Sequence, residues 1–334
     1  MRAWRVHQLG DPQDALRLDQ DAPIPKPAAD QVLLRVGCSA LNFADGLLCR
    51  GEYQVKPDLP FSPGLEVSGE VVSGGESVGI NAGRRMMGTT FLPAGGLAEY
   101  CLVNHRNLYP VPDDMSDEDA SALLIPYQTA HIALHRRGNL QPGETLLVHA
   151  GAGGVGSAAI QLGKAAGARV IATAGGASKV EICREIGADV VIDYRTEDFV
   201  ERVHAETDGL GADVIYDPVG GDIFDRSRKA IAWEGRLLVI GFAGGRIADA
   251  PTNHPFIRNY SIVGVYIGEY SHRDHDFLLA THADLMRLYS TGKIRPLVHT
   301  LAPMEEAGEA IGRLLSRRTT GKVVVHVAGE REKV

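Results

Sequence analysis

Residues 145–168 read TLLVHAGAGGVGSAAIQLGKAAGA. A strand-length apolar run, LLVHA, passes into Gly151-Ala152-Gly153-Gly154-Val155-Gly156 and then directly into a small-residue helical stretch. Glycines at such a turn let the backbone approach a pyrophosphate, whose charge is favoured by free N–H groups and the positive end of the helix dipole. A G-x-G-x-x-G run alone describes many tight strand-to-helix turns, so its weight comes from the strands downstream of it. There RVIATA, DVVIDY, ADVIYD, RLLVIG and SIVGVYI recur at fairly regular intervals with helical segments between them. With the first run they predict a doubly wound parallel sheet, with a dinucleotide expected at Ala152, Gly153, Gly154, Val155 and Gly156. Val219, with Gly220, and Gly241-Phe242-Ala243 end the fourth and fifth strands, where such sheets bind ligands, and are expected to flank the two halves of the dinucleotide, although loop glycines alone would not show this.

Working outward, Gly187 reads as the residue that ends one crossover helix and Thr196 as the N-cap of the next. Upstream, about 120 residues alternate β-type runs with Gly/Pro punctuation, implying a mainly β domain. Towards the carboxyl terminus, PMEEAGEAIGRLL reads as a helix opened by proline and KVVVHV as a closing strand. The expected division is 1–124 in a first domain, 125–267 in the dinucleotide domain and 268–334 returning to the first. The terminal GEREKV reads as a frayed end.

Bulk properties narrow the function. Apolar residues make up 44% and charged residues 23% of the 334, a globular balance large enough for two cores. A net charge of −8 argues against a phosphate-backbone binder, so nucleic acid is not an expected partner. Cys38, Cys49, Cys101 and Cys183 lack C-x-x-C spacing and read as reduced thiols. There is no signal-like amino terminus and no apolar run long enough for a bilayer, so the expectation is a cytoplasmic protein without a membrane partner.

The stretch from Gly143-Glu144 through GAGGVG to Gln161 and Lys164 resembles the quinone oxidoreductase signature. NFADGLLCRGEY, LPFSPGLEVSGEVV, YDPVGG and RTTGKVVV resemble the same family in the same order, so the likeness covers nearly the whole chain. Membership of this zeta-crystallin-like branch of the medium-chain dehydrogenase/reductases implies a GroES-like catalytic domain in two pieces around a Rossmann domain, with the active site in the cleft between them. It also implies a homodimer extended through the SIVGVYI strand. The second Rossmann strand ends in Thr173-Ala174-Gly175-Gly176, with no carboxylate to hold ribose hydroxyls or repel a 2′-phosphate. Ser178, Lys179, Tyr194 and Arg317 resemble the family's phosphate pocket, and two charge-assisted bonds would favour NADPH by roughly a hundredfold. Taken singly, Lys179 and Arg317 read equally well as surface charges. By resemblance, Thr129 lies near the nicotinamide; with Tyr127 it is expected to begin the helix joining the domains, and capping is the competing role.

Asn42 stands where zinc-dependent relatives of the fold place a cysteine, Leu65 in PGLE replaces their histidine, and the four-cysteine lobe is absent. No metal is therefore expected; His272, Asp274 and His275 read as a solvated loop. Without a metal to lower an alcohol's pKa, the favoured substrate is already electrophilic, a quinone or an α,β-unsaturated carbonyl. Asn42, Asp45 and Tyr53 are the candidates to bind its oxygen, against the plainer reading of a braced loop and a packed aromatic. Leu47 and Arg84 depart from the bacterial pattern, the first weakening any claim to quinone specificity. An enoyl-thioester reductase of the acryloyl-CoA type is the alternative, favoured if Arg50, Lys56 and Arg258 gather into a basic patch; a crystallin-like nucleotide-binding protein without turnover is the other.

Overall fold

The computed structural model describes residues 1–327; the terminal GEREKV lies outside them. Down the chain come β1 (Ala3–Val6), α1 (Pro12–Ala15), β2 (Leu16–Asp19), β3 (Gln31–Ala40), α2 (Phe43–Arg50), β4 (Glu66–Ser73), β5 (Arg85–Thr90), β6 (Tyr100–Pro110) and α3 (Asp117–His131). Next are β7 (Thr145–Val148), α4 (Gly154–Ala165), β8 (Arg169–Ala174), α5 (Ala177–Glu185), β9 (Val190–Asp193), α6 (Phe199–Glu206), β10 (Ala212–Asp217), α7 (Gly221–Ala230) and β11 (Ile231–Val239). The rest is α8 (Asn253–Arg258), β12 (Ser261–Gly264), α9 (Tyr270–Arg273), α10 (His275–Ser290), β13 (Val298–Pro303), α11 (Ala307–Leu315) and β14 (Lys322–His326). Two compact units result, one of residues 1–125 and 296 onward, the other of residues 126–295.

The second unit holds a six-stranded sheet in the order β12-β11-β10-β7-β8-β9, every pair parallel. The order reverses between β7 and β10, and doubly wound sheets bind ligands at the carboxyl ends of strands beside such a reversal. Leu147, Ile171, Ile215 and Leu237, one from each central strand, are fully buried in one cluster. SIVGVYI contributes its first four residues as edge strand β12. The expected return at residue 268 comes instead at 296. The reason is α10, which buries Leu285 and is tied to the end of α3 through His131 Nε2 and Asp284 at 3.0 Å.

The first unit holds the order β13-β14-β3-β4-β5-β6, with β6 also pairing β3, so β3 to β6 close on themselves as a small barrel. Leu34, Val67, Met86 and Cys101, one from each of these strands, fill its core together with Phe61 and Leu97. The two sheets are the GroES-like and Rossmann-like architecture expected from the sequence.

Three local expectations need correction. Helix α3 begins at Asp117, well before Tyr127 and Thr129: Ser116 Oγ accepts the Asp119 N–H at 3.1 Å, and Asp117, Glu118 and Asp119 suit the positive helix end. Its internal proline, Pro126, falls where the units divide. Asp198, not Thr196, caps α6, accepting from Val200 at 2.8 Å and Glu201 at 3.4 Å. The helix expected from Pro303 opens as a 3₁₀ turn, Met304–Glu306.

Candidate functional site

The glycine loop forms because β7 must turn sharply into α4. Ala150 takes a left-handed φ of 52°, and a Cβ on Gly156 would overlap the Ala150 carbonyl oxygen, so only glycine lets the helix start so close to the strand. Gly153 occupies the N-cap of α4 and no side chain caps the first turn, leaving that end open to an anion. Gly153, Gly154 and Val155 are half-buried, whereas Ala152 and Gly156 are buried. Gln161 anchors the helix: its Nε2 donates to Tyr127 Oη and to the Arg295 carbonyl, each at 3.0 Å, and its Oε1 accepts the Arg295 N–H at 2.7 Å.

At the end of β8 the sequence positions converge. The Tyr194 ring lies against Gly175, closely enough that a Cβ there would overlap its hydroxyl. Arg195 Nη1 sits 2.9 Å from where a Gly176 Cβ would be. Gly176 itself, at φ 91°, caps α5, whose first turn carries Ser178 and Lys179. Asp193 Oδ1 accepts the N–H groups of Gly176 and Arg195, each at 3.0 Å, and these bonds hold its carboxyl below the usual range. Arg195 and Asp193 were not among the sequence candidates; the adjacency of Arg195 to Tyr194 was the available signal. The structure thus gathers Gly175 and Tyr194, with α5 beginning beside them.

The loops after β10 and β11 are laced together by Ala243 N–H to the Pro218 carbonyl at 3.0 Å and Gly244 N–H to the Val219 carbonyl at 2.7 Å. This brings Val219, Gly241, Phe242 and Ala243 together, with Phe242 39% exposed. Below them, Asp217 Oδ1 accepts from Val219 at 2.8 Å and Gly220 at 3.0 Å, and burial pushes its carboxyl up.

In the first unit, Asn42 and Asp45 belong to a polar network around α2. Asp45 is wholly buried rather than facing a cleft: Oδ2 accepts the Asn42 N–H at 2.7 Å, and Oδ1 accepts those of Gly64 at 2.8 Å and Leu65 at 3.2 Å. Burial pushes its carboxyl up to about 6 against the pull of those donors and the Lys322 ammonium. The Asn42 side chain is also engaged. Its Nδ2 donates to the Ala40 carbonyl at 3.1 Å and Glu66 Oε2 at 3.2 Å, and its Oδ1 accepts from Lys322 Nζ at 2.7 Å. Lys322 Nζ pairs with Glu66 Oε2 at 3.0 Å, both side chains almost fully buried, and Glu66 Oε1 accepts the Ile125 N–H at 2.9 Å. Lys322 and Glu66 were missed because a lysine opening KVVVHV and a glutamate opening EVSGEVV read as exposed strand ends. Tyr53 is half-buried and packs on the barrel core.

Thr129 is buried late in α3, and Arg317 comes after α11 at a left-handed φ of 59°. His272, Asp274 and His275 form a helix junction, not a loop: Asp274 caps α10 and pairs with Arg136 at 2.8 Å. No helix among the described residues is long and apolar enough to cross a membrane.

The alcohol dehydrogenase GroES-like domain family matches residues 28–113, and the family described as zinc-binding dehydrogenase matches residues 154–281. The quinone oxidoreductase-like protein 2 homolog of Nematostella vectensis is 39% identical over 331 residues, covering 97% of this chain and 88% of its own. Quinone oxidoreductase-like protein 2 of Rattus norvegicus is 36% identical, covering 97% and 96%. The crystal structure of Escherichia coli quinone oxidoreductase complexed with NADPH superposes with a TM-score of 0.91 at 28% identity, covering 98% of this chain and all of that one. With a barrel unit and a glycine-turned parallel sheet matching along nearly their full length, the chain belongs to the quinone oxidoreductase family of the medium-chain dehydrogenase/reductases.

Proposed function

We propose that this protein is an NADPH-dependent reductase that delivers hydride to quinones or α,β-unsaturated carbonyls, without a metal at the reaction centre. The observation that carries the cofactor choice is the end of β8, where Gly175 and Gly176 offer no carboxylate and lie against Tyr194 and Arg195, next to the α5 turn that carries Lys179. Asp193, at the end of the neighbouring β9, accepts two backbone N–H groups through a single oxygen. A 2′-phosphate meets cationic and hydroxyl donors in such a place. The uncapped amino end of α4, at a turn where an added Cβ would collide with the backbone, suits the pyrophosphate.

NADPH, when bound, supplies a hydride from its nicotinamide. In this reading Ala152 to Gly156 hold the pyrophosphate, while Ser178, Lys179 and Tyr194 hold the 2′-phosphate. Val219 flanks the adenosine side; Thr129 and Gly241 to Ala243 flank the nicotinamide. Asn42 and Asp45, their polar atoms committed to protein partners, act as positioning residues that fix the turn into α2. Tyr53 is then the candidate donor to the acceptor's developing oxyanion, with water as the other proton source. An ordinary alcohol would need its alkoxide stabilised, and Asn42 and Leu65 offer an amide and a hydrocarbon where zinc-dependent relatives place ligands.

The four cysteines are free and buried, which suits the reducing cytoplasm. The β12 edge, with exposed Phe256 and Ile257 nearby in sequence, suits pairing with a second copy. The deciding experiment follows NADPH and NADH oxidation with quinone, enone and enoyl-thioester acceptors. Turnover confined to the thioester would replace the proposed acceptor class, and NADPH binding without turnover on any acceptor would leave a nucleotide-binding protein.

A further inference from the structure

Side chains alternate along a strand, so one face of β3 and β14 carries Cys38 and Ala40 opposite His326 and Val324. Helix α3 begins over this end of the sheet, where Ser68 Oγ donates to the Asp117 carbonyl at 2.7 Å. The outcome is a cluster: Cys38 Sγ lies 3.7 Å from His326 Nδ1, and His326 Nε2 lies 3.3 Å from Glu118 Oε1. One donor atom from each residue can be chosen so that all lie within 4.8 Å, and among the described residues no other His, Cys, Asp or Glu group is so gathered. The proposed hydride transfer makes no use of it.

We infer that Cys38, Glu118 and His326 form a binding site for a divalent cation of the zinc type. Sulfur, imidazole nitrogen and carboxylate oxygen together are a zinc donor set, and oxygen-preferring calcium or magnesium would not select it. Zinc bonds of about 2.3 Å to sulfur and 2.0–2.1 Å to nitrogen put two tetrahedral ligands about 3.6 Å apart, close to the observed Sγ to Nδ1 spacing. Glu118 contacts Nε2 in this structure, so the site requires its side chain to rotate towards the Nδ1 edge, with water completing the shell. The side chains of His326 and Glu118 are 39% and 30% exposed, so an ion enters from solvent, while Cys38 closes the site from within. Binding releases the Cys38 thiol proton to solvent and takes His326 as neutral imidazole, so charge and protons balance. The rival use of a thiol beside an imidazole, attack on an electrophile, fails because Cys38 is only 2% exposed. An ion here would clamp β14, β3 and the start of α3.

The test titrates the metal-depleted full chain with Co2+ as the spectroscopic probe for zinc. The expected result is one ion per chain, a thiolate-to-cobalt charge-transfer band in the near ultraviolet, displacement by Zn2+, and a higher Tm with Zn2+. His326→Gln and Glu118→Gln, changed at partly exposed positions, should each bind at least about tenfold more weakly. Cys38→Ser should lose the charge-transfer band; should it fail to fold, the other two variants decide. Absence of the band in the unaltered chain, or unchanged cobalt affinity in both polar variants, overturns the assignment.

Discussion

Asp45 and Asp217 are buried carboxylates held in different ways, and the difference predicts their variants. Asp217 presents one oxygen to two backbone N–H groups, which the carbonyl of an asparagine can also do. Asp45 uses both oxygens, so an amide must turn its NH2 towards a donor. Asp45→Asn should therefore cost about 1–3 kcal/mol in a denaturant titration at neutral pH, and Asp217→Asn should cost less. Burial raises both folded-state pKa values above 3.8, to about 6 for Asp45. Each thus binds its proton more tightly when folded, so its contribution to stability is full below 3.8 and declines as pH rises, through about 6 for Asp45. The decline due to Asp217 should vanish from the Tm-against-pH curve of Asp217→Asn; an unchanged curve would remove Asp217 from that account. For the buried Lys322–Glu66 pair, Lys322→Met strands a carboxylate and should cost about 3–5 kcal/mol, part of it restored by adding Glu66→Gln. At this scale the sequence was least legible. NFADG shows that Asn42 and Asp45 are polar, but only folding buries Asp45 and brings Lys322 to Asn42, so that both groups are taken by protein partners.

Secondary-structure elements were read more easily, because hydrophobic period and glycine turns are local. The six strand runs and the glycine turn into α4 stand where the pattern put them. Thr196 against Asp198 shows the limit: both are cap formers two residues apart, and which one meets the free N–H groups depends on where the backbone leaves β9. The α4 turn gives a direct test. Gly156→Ala drives a methyl into the Ala150 carbonyl and should weaken NADPH binding at least about tenfold, whereas Gly10→Ala, with nothing within 4 Å of its added Cβ, should leave binding unchanged. Fluorescence titration of NADPH distinguishes them, and equal affinity in the two variants would contradict the tight-turn account. At β8, Lys179→Ala and Arg195→Ala should each raise the KM for NADPH about tenfold or more with little effect on NADH. Arg195 is the more informative, since its place against Gly176 is visible only in three dimensions.

For the whole molecule, the family and the two-unit layout were legible from motif order, while the second unit's extent was not. Nothing in FLLATHADLMRLYS states that its helix belongs with residues 126–267; buried Leu285 and the Asp284 contact with His131 decide it. If β12 pairs with a second copy, light scattering should give twice the chain mass of 35.8 kDa, and a monomer mass would end the dimer proposal. The central claim is tested most directly by steady-state oxidation of NADPH and NADH with 1,4-benzoquinone, 9,10-phenanthrenequinone, a simple enone and acryloyl-CoA, each with and without chelator. Turnover of a quinone or the enone that prefers NADPH and ignores the chelator is the predicted result. Preference for NADH, or activity abolished by the chelator while the chain stays folded by circular dichroism, would contradict it.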